Sequence, residues 1–290
     1  MLSYDASRRS LAGGHHVLQT PELFATAPQH KLETARERKS GMHLAIISDI
    51  HGECFALDRV LQDIRRQGIE QIVCLGDALQ GGSQPAETVA RLRELHCPVV
   101  MGNADAWLIT GQNTSPEEEI SEKQQEVRTW SLAQLSGNDV AFVRQFQPTI
   151  EILLESGKKL LCFHGSPHSF DDIILPNTPD DVVREFLGGY DATFLAGGHT
   201  HTQQMRRVGT SWYVNPGSVS LAYNWEHSDL TTGQMRVDPW ADYAIVSSEG
   251  TCLAITFRHV PFDVDELARI IRASGRPYAE EAIALYRRES

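Results

Sequence analysis

The chain contains no run of about 18 or more consecutive apolar residues, which excludes a helical membrane span. Its N-terminus lacks the apolar stretch of a secretory signal, so a cytoplasmic protein is expected. Positive charge is in deficit as well. A net charge of −12 argues against a general nucleic-acid or membrane-surface binder, since both need a basic face. Neither a stable nucleic-acid partner nor a membrane partner is expected. Cysteine is scarce: Cys54, Cys74, Cys97, Cys162 and Cys252 are odd in number and form no C-x-x-C pair. Cys74 and Cys162 sit inside apolar runs, which suits small buried residues in a reducing compartment. There is no internal repeat and no low-complexity tract. Nothing in the sequence bears on oligomeric state.

Residues 1–41 lack strong periodicity, and Met42 opens an apolar strand directly. The expectation is a loosely ordered extension, or a start codon placed upstream of the true one, before a domain over 42–290. The chain's 290 residues and hydrophobic share of 41% are enough for a full core.

From Met42 strands and helices alternate. Leu44–Ile47 is a buried strand ending in Asp49-Ile50-His51-Gly52. A helix with Leu57, Val60, Leu61 and Ile64 on one face stops at Gly68. Gln71–Leu75 is a second strand, ending Gly76-Asp77. Pro85 starts a helix carrying Val89, Leu92 and Leu95. Pro98–Met101 reads as a third strand, running into Gly102-Asn103-Ala104-Asp105. This βαβαβ order implies parallel strands covered by helices.

Residues 107–148 read as an inserted helical cap, which lines the entrance or packs on the core. Ser115, Pro116 and Glu118 resemble a capping box, and a second helix starts near Ser136. Thr149–Leu154 and Lys158–Phe163 form a hairpin over Ser156-Gly157, ending His164-Gly165. A helix follows from Thr178-Pro179 to Gly188-Gly189. The strand Thr193–Ala196 then ends Gly197-Gly198-His199-Thr200-His201. Strands at 204–208 and 211–214 precede Asn215-Pro216-Gly217-Ser218, which either lines a pocket or makes a tight turn. A hairpin over Glu249-Gly250 and two helices, the first from Asp263, close the chain.

The strand ends carry the chemistry. Asp49, His51, Asp77, Asn103, His164, His199 and His201 each follow an apolar strand, and nearly all touch a glycine. Singly, His164 could be a core histidine, Asp49 a helix cap and Asn103 a turn. Such explanations would have to hold seven times over. Seven oxygen and imidazole donors are too many for one metal and enough for two. Mixed carboxylate and imidazole ligands suit transition metals better than Mg or Ca. Two metals about 3.5–4 Å apart are a recurrent device for in-line attack on phosphorus.

The motifs Asp-x-His, Gly-Asp, Gly-Asn-x-Asp, His-Gly and Gly-His-Thr-His, in this order, resemble those of the calcineurin-like metallophosphoesterases, particularly the small bacterial and archaeal phosphodiesterases. The resemblance covers about Met42 to Ser218. It implies an α/β fold, a two-sheet β-sandwich flanked by helices. It implies that Asp49, His51 and His201 hold one metal, that Asn103, His164 and His199 hold a second, and that Asp77 bridges. Asp77, Asn103, Asp105 and His164 are the residues expected to serve catalysis, Asp105 by orienting the loop or a ligand histidine. The implied cofactors are two divalent transition-metal ions, Mn first, with Fe, Zn, Ni or Co as alternatives. The implied reaction is hydrolysis of a phosphodiester by in-line attack of a metal-bridging hydroxide. The implied partner is a small phosphoester, with nucleotides among the options.

One departure stands out. Many members carry histidine between the asparagine and aspartate of the third motif, where this chain has Ala104. His168 is a speculative substitute. His227 and His259 read as surface or structural residues, and His96 as a helix C-cap. The rival readings are a phosphomonoesterase, a nucleotide or dinucleotide polyphosphate hydrolase, and a non-catalytic scaffold like a retromer subunit of this fold.

Overall fold

The computed structural model describes residues 41–113, 120–154, 157–224, 228 and 236–287. The expected extension thus lies outside the described residues except for Gly41. So do His227 and the proposed start signal at Ser115, Pro116 and Glu118.

In chain order the elements are β1 (Met42–Ile47), α1 (Cys54–Arg66), β2 (Gln71–Cys74), α2 (Pro85–Leu95), α3 (Asn103–Thr110), α4 (Glu122–Ala133) and α5 (Gly137–Val143). Then come β3 (Ile150–Leu153), β4 (Lys159–Cys162), α6 (Asp180–Leu187), β5 (Phe194–Ala196), β6 (Gln204–Val208) and β7 (Ser211–Asn215). The chain ends with β8 (Trp240–Glu249), β9 (Cys252–Pro261), α7 (Val264–Ser274) and α8 (Ala279–Ala284). They build a four-stranded sheet in the order β2-β1-β8-β9 and a five-stranded sheet in the order β3-β4-β5-β7-β6.

The layers follow from the two-residue period of a strand. In β1, Leu44 and Ile46 join Val73 and Val246 in a core shared with Leu160, Cys162, Phe194 and Val214 of the other sheet. The alternate residues Ala45 and Ile47 point the other way, into a core with Leu57, Val60, Leu61 and Ile64 of α1 and Leu267 and Ile271 of α7. In β5, Phe194 and Ala196 face the inter-sheet core, while Leu195 meets Val183 and Leu187 of α6. Both strands are therefore apolar on both faces, as expected of buried strands. The result is helix, sheet, sheet, helix.

The βαβαβ stretch is parallel as expected: β1 pairs parallel with β2 and Cys74 bridges Val99 in parallel, while the long β8–β9 hairpin returns antiparallel along the free edge of β1 and makes the sheet mixed. Two expectations need correction. Pro98–Met101 makes only single bridges, Cys74 to Val99 and Val100 to Gln147, because Gly102 turns the chain at once into α3. Asn103 is accordingly the first residue of a helix, four residues before the predicted helical segment begins. Other boundaries follow sequence signals. α4 starts behind Ser121, which forms a capping box with Gln124, and α5 behind Ser136, which forms one with Asp139. His96 closes α2 in the left-handed region, as a C-cap should.

Candidate metal centre

The strands β1, β2, β4 and β5 deliver six of the candidate residues beyond their C-terminal ends, and the seventh, Asn103, opens α3. The backbone there is unusual. Asp49, His51, Asp77, His199 and His201 have φ of 54°, 48°, 49°, 69° and 53°. A side chain in the left-handed region is strained by about 1–3 kcal/mol when the residue is not glycine. Such strain persists only where the surroundings fix it, and here they do. Asp49, His51 and Gly52 donate backbone N–H groups to the carbonyls of Gly76, Asp77 and Ala78, at 3.0, 2.8 and 2.8 Å. The two loops are zipped together.

Two glycines allow the approach. A Cβ on Gly102 would sit 2.1 Å from Asp77 Oδ1, and one on Gly198 would sit 2.1 Å from Ser48 Oγ and 2.8 Å from Asp49 Oδ2. Neither position has room for any other residue.

Six of the seven candidates converge in two groups: Asp49, His51 and His201, and Asp77, His164 and His199. In the first, His201 Nε2 lies 3.3 Å from Asp49 Oδ1 and 3.1 Å from His51 Nε2. In the second, His164 Nε2 lies 3.3 Å from Asp77 Oδ2 and 3.0 Å from Asn103 Oδ1, so the seventh candidate joins there. Asp77 Oδ2 also lies 3.8 Å from His51 Nε2 and thus reaches toward both groups.

The hydrogen bonds decide where the imidazole protons sit. His51 Nδ1 faces the Gln80 carbonyl at 2.8 Å, and His164 Nδ1 faces the Leu75 carbonyl at 2.8 Å. A carbonyl only accepts, so each Nδ1 donates, and a neutral ring turns its Nε2 lone pair inward. In that neutral form lone pairs meet lone pairs, at His164 Nε2 with Asn103 Oδ1 and at His51 Nε2 with the Asp77 carboxylate, and only a proton or a cation between them relieves it. Asp49 Oδ1 is buried without a hydrogen bond. This donor set fits divalent cations better than it fits itself.

The electrostatics say the same. Burial is the largest influence on Asp77 and favours its neutral form, but His164 and His51 outweigh it and hold the carboxyl far below the usual range. Burial likewise opposes charge on His164, yet Asp77 and Asp49 push that imidazole up to about 10. His199 is driven down to about 4 by burial and by His164. The buried carboxylates demand positive charge close by, and a metal ion would supply it in place of a proton.

Around the ligands stands a set of braces. Asp105, fully buried, accepts from the backbone N–H of Ala78 and Leu79 at 3.0 Å. It fixes the loop after Asp77 and makes no hydrogen bond to a candidate ligand, which is the geometry of a positioning residue. Of its two expected roles, the loop is the one it fills. Asn215 donates to the Gly198 carbonyl at 2.6 Å and to Thr200 Oγ1 at 3.0 Å, while Ser218 Oγ donates to the Asp49 carbonyl at 2.8 Å. The motif at 215–218 is therefore a turn whose side chains hold the ligand loops. His168, the speculative substitute for the histidine missing at Ala104, has its ring nitrogens 2.9 and 3.2 Å from Tyr190 OH. His259 pairs with Asp242 at 2.6 Å.

A cleft of about 430 Å³ opens from His51 and Asn103. Its walls come from α3, α4 and α8 and include Ala104, Trp107, Val127, Tyr278 and Leu285. Sequence reasoning missed Trp107, Arg276 and Tyr278, and also Tyr223, whose ring lies 4.4 Å from that of His201. Trp107 was findable, standing one helical turn past Ala104. Arg276 and Tyr278 carry no motif.

Comparison with known proteins gives the lineage. A profile of the calcineurin-like phosphoesterase superfamily domain matches residues 42–235. The protein MJ0912 of Methanocaldococcus jannaschii, itself uncharacterized, is 31% identical over 180 residues, covering 61% of this chain and 70% of its own. Phosphodiesterase YfcE of Escherichia coli K12 is 29% identical over 190 residues, covering 62% and 80%. Among solved structures, the hypothetical protein PH1004 of Pyrococcus horikoshii OT3 has a TM-score of 0.68 at 19% identity, covering 84% of this chain and 98% of that one, a likeness of fold. The profile spans more than half of the chain and contains all seven candidate ligands; the chain belongs to the calcineurin-like phosphoesterase superfamily.

Proposed function

We propose that this phosphoesterase is a phosphodiesterase working with two divalent transition-metal ions, Mn²⁺ first among them. The observation that carries the reading is the pair of ligand groups with Asp77 Oδ2 reaching toward both. Asp49, His51 and His201 would hold one ion, and Asn103, His164 and His199 the other, with Asp77 shared. When bound, the ions would lower the pKa of a water and neutralise charge developing on the phosphoryl oxygens.

The chain's own residues set the conditions for that chemistry. Asp77 is anionic at every working pH. The Gln80 and Leu75 carbonyls hold His51 and His164 in the tautomer that offers Nε2. The Ala104 N–H donates to Asp77 Oδ1 at 2.9 Å, leaving Oδ2 for the centre. The Ala104 methyl has no proton to give, so a leaving group beside it departs without an acid from this position. That favours esters whose leaving groups are stable anions, such as activated or aryl esters, and the preference for a diesterase over a monoesterase is supported by the similarity to phosphodiesterase YfcE. A scaffold role is disfavoured because all seven positions retain ligand chemistry.

The test is a survey on Mn²⁺-loaded protein with bis-p-nitrophenyl phosphate, p-nitrophenyl phosphate and diadenosine tetraphosphate. Preference for the diester supports the reading. Preference for the monoester or the dinucleotide would replace it, and inertness toward all three would revive the scaffold.

A further inference from the structure

Beside the metal centre the cleft has a composition of its own. One end is the ligand loop, at His51 and Asn103. The remainder exposes more apolar than polar surface, from Ala104 and Trp107 of α3, Val127 of α4, Ala282 of α8 and Leu285 just after it, with Lys123 and Glu281 among its polar side chains. A phosphoryl group has no use for such walls. Its oxygens belong with the metals and with cationic donors, so the apolar part faces something else in the substrate.

The helices that wall the cleft are tied to each other. Lys123 of α4 meets Glu281 of α8 at 2.8 Å, and Tyr278 OH donates to Glu126 of α4 at 2.9 Å. Both ties span the cleft from one helical wall to the other. Cations lie against both rings: the Arg128 guanidinium is 5.7 Å from the centre of the Trp107 ring, and the Lys123 ammonium is 5.1 Å from that of Tyr278. A site with its walls tied and its aromatic rings braced loses little entropy when it takes a rigid ligand. A volume of about 430 Å³ falls in the range of small-ligand sites.

Between the apolar part and the ligand loop stands Arg276. Its Nε donates to the Gly81 carbonyl at 2.6 Å and its Nη1 to the carbonyls of Pro277 and Tyr278 at 2.7 and 3.2 Å. Its Nη2 donates to no described residue, and Arg276 lines the cleft. The cleft thus joins a metal-facing end, a cation and an apolar chamber in that order.

We infer that this cleft is a subsite for a flat, apolar ring carried by one ester substituent of the substrate, an aryl group or a nucleobase. The inference rests on the phosphoesterase reading above and narrows its substrate class. Ala104 is then a specificity residue as well as a missing acid: a larger side chain there would stand between the centre and the chamber. Arg276 would meet the phosphoryl oxygens on the chamber side.

The test is equilibrium binding to the Mn²⁺-loaded protein, with phosphonates that cannot be hydrolysed. Methylphosphonate probes the centre alone, phenylphosphonate adds a ring, and the 5′-methylenephosphonate of adenosine adds a nucleoside. Phenylphosphonate should bind roughly tenfold or more tightly than methylphosphonate. In Ala282→Trp, which fills the chamber far from the ligands, that advantage should vanish while methylphosphonate binds unchanged. Tyr278→Gly is the second variant: Tyr278 has φ 58°, which glycine adopts without strain, so the wall is lost and the backbone kept. It should reduce the advantage severalfold. Tighter binding of the adenosine compound than of phenylphosphonate assigns a nucleobase, and weaker binding assigns a simple aryl group. A wild-type protein with no preference for the ring, or a preference that survives both substitutions, overturns the inference. Failure of methylphosphonate itself to bind would instead strike the metal-centre reading beneath it.

Discussion

His51 and Arg276 are 225 residues apart and are joined through one short loop. His51 Nδ1 donates to the Gln80 carbonyl at 2.8 Å, and Arg276 Nε donates to the next carbonyl, that of Gly81, at 2.6 Å. A candidate metal ligand is thereby held by a residue from the C-terminal helices, outside the segment that matches the family profile.

Arg276→Met should therefore weaken the site containing His51 more than the site containing His164. Groups that orient ligands typically alter metal affinity by about 10–100-fold, and one bond further out the effect should fall near the lower end of that range. Arg276→Lys should rescue little, since an ammonium cannot make the same fork of bonds. A Mn²⁺ titration resolving two binding steps checks this. Two unchanged steps would mean that the contact serves stability alone.

Asp77→Asn should be the most damaging single substitution at the centre. A shared carboxylate offsets the repulsion between two ions, and the neutral amide cannot. Asp105→Asn should cost about 10–100-fold, because it disturbs the loop carrying Asp77 without touching the ions. Metal content and turnover of bis-p-nitrophenyl phosphate measure both. Wild-type behaviour in Asp77→Asn would remove the shared role.

Ala104→His should restore an acid at the mouth of the cleft. Only the side chain changes, so the Ala104 N–H bond to Asp77 can persist. General acid catalysis is worth about 10²–10⁴-fold, and poor leaving groups gain most. The parent should show a steep dependence of rate on leaving-group pKa across a series of phosphodiesters, and the variant a shallower one. A shallow slope in the parent would reveal another acid.

Away from the centre, Asp63 offers a prediction of stability. It accepts from Tyr243 OH at 2.7 Å and from Arg258 Nη2 at 2.8 Å. Burial raises its pKa most among single influences, but Tyr243 and Arg258 together bring it below the usual 3.8. A depressed carboxyl contributes stability that is present above the unfolded value and lost as pH falls through the folded one. Asp63→Asn should cost about 1–2 kcal/mol at neutral pH, at the modest end because Arg258 is a third exposed. The gap should narrow below about pH 4. Urea unfolding at pH 7 and pH 3.5 measures it, and a gap independent of pH would assign the cost to packing.

Much of the centre was legible because its parts are local. An apolar run followed by Gly-Asp or Gly-His specifies a strand end with a ligand on it, whatever the rest of the chain does. The groupings rested on the family resemblance, and the structure brings the same residues together. The left-handed backbone at Asp49, His51 and His199 was not legible, since only the crossing of loops imposes it. The strand at Pro98–Met101 failed because bridges on its two sides depend on partners distant in sequence, Cys74 and Gln147. Arg276 and Tyr278 stayed hidden because their role comes from where α8 docks, and no spacing announces that.

Two ions sharing Asp77 are the core of the reading, and the most direct measurement is metal stoichiometry set against hydrolysis. Protein purified without chelator should carry close to two transition-metal ions per chain. Chelation should remove them together with the hydrolysis of bis-p-nitrophenyl phosphate, and Mn²⁺ should restore both in parallel, with activity following occupancy of the second ion. Full hydrolysis by a chain holding no metal, or no more than one ion, would contradict the account.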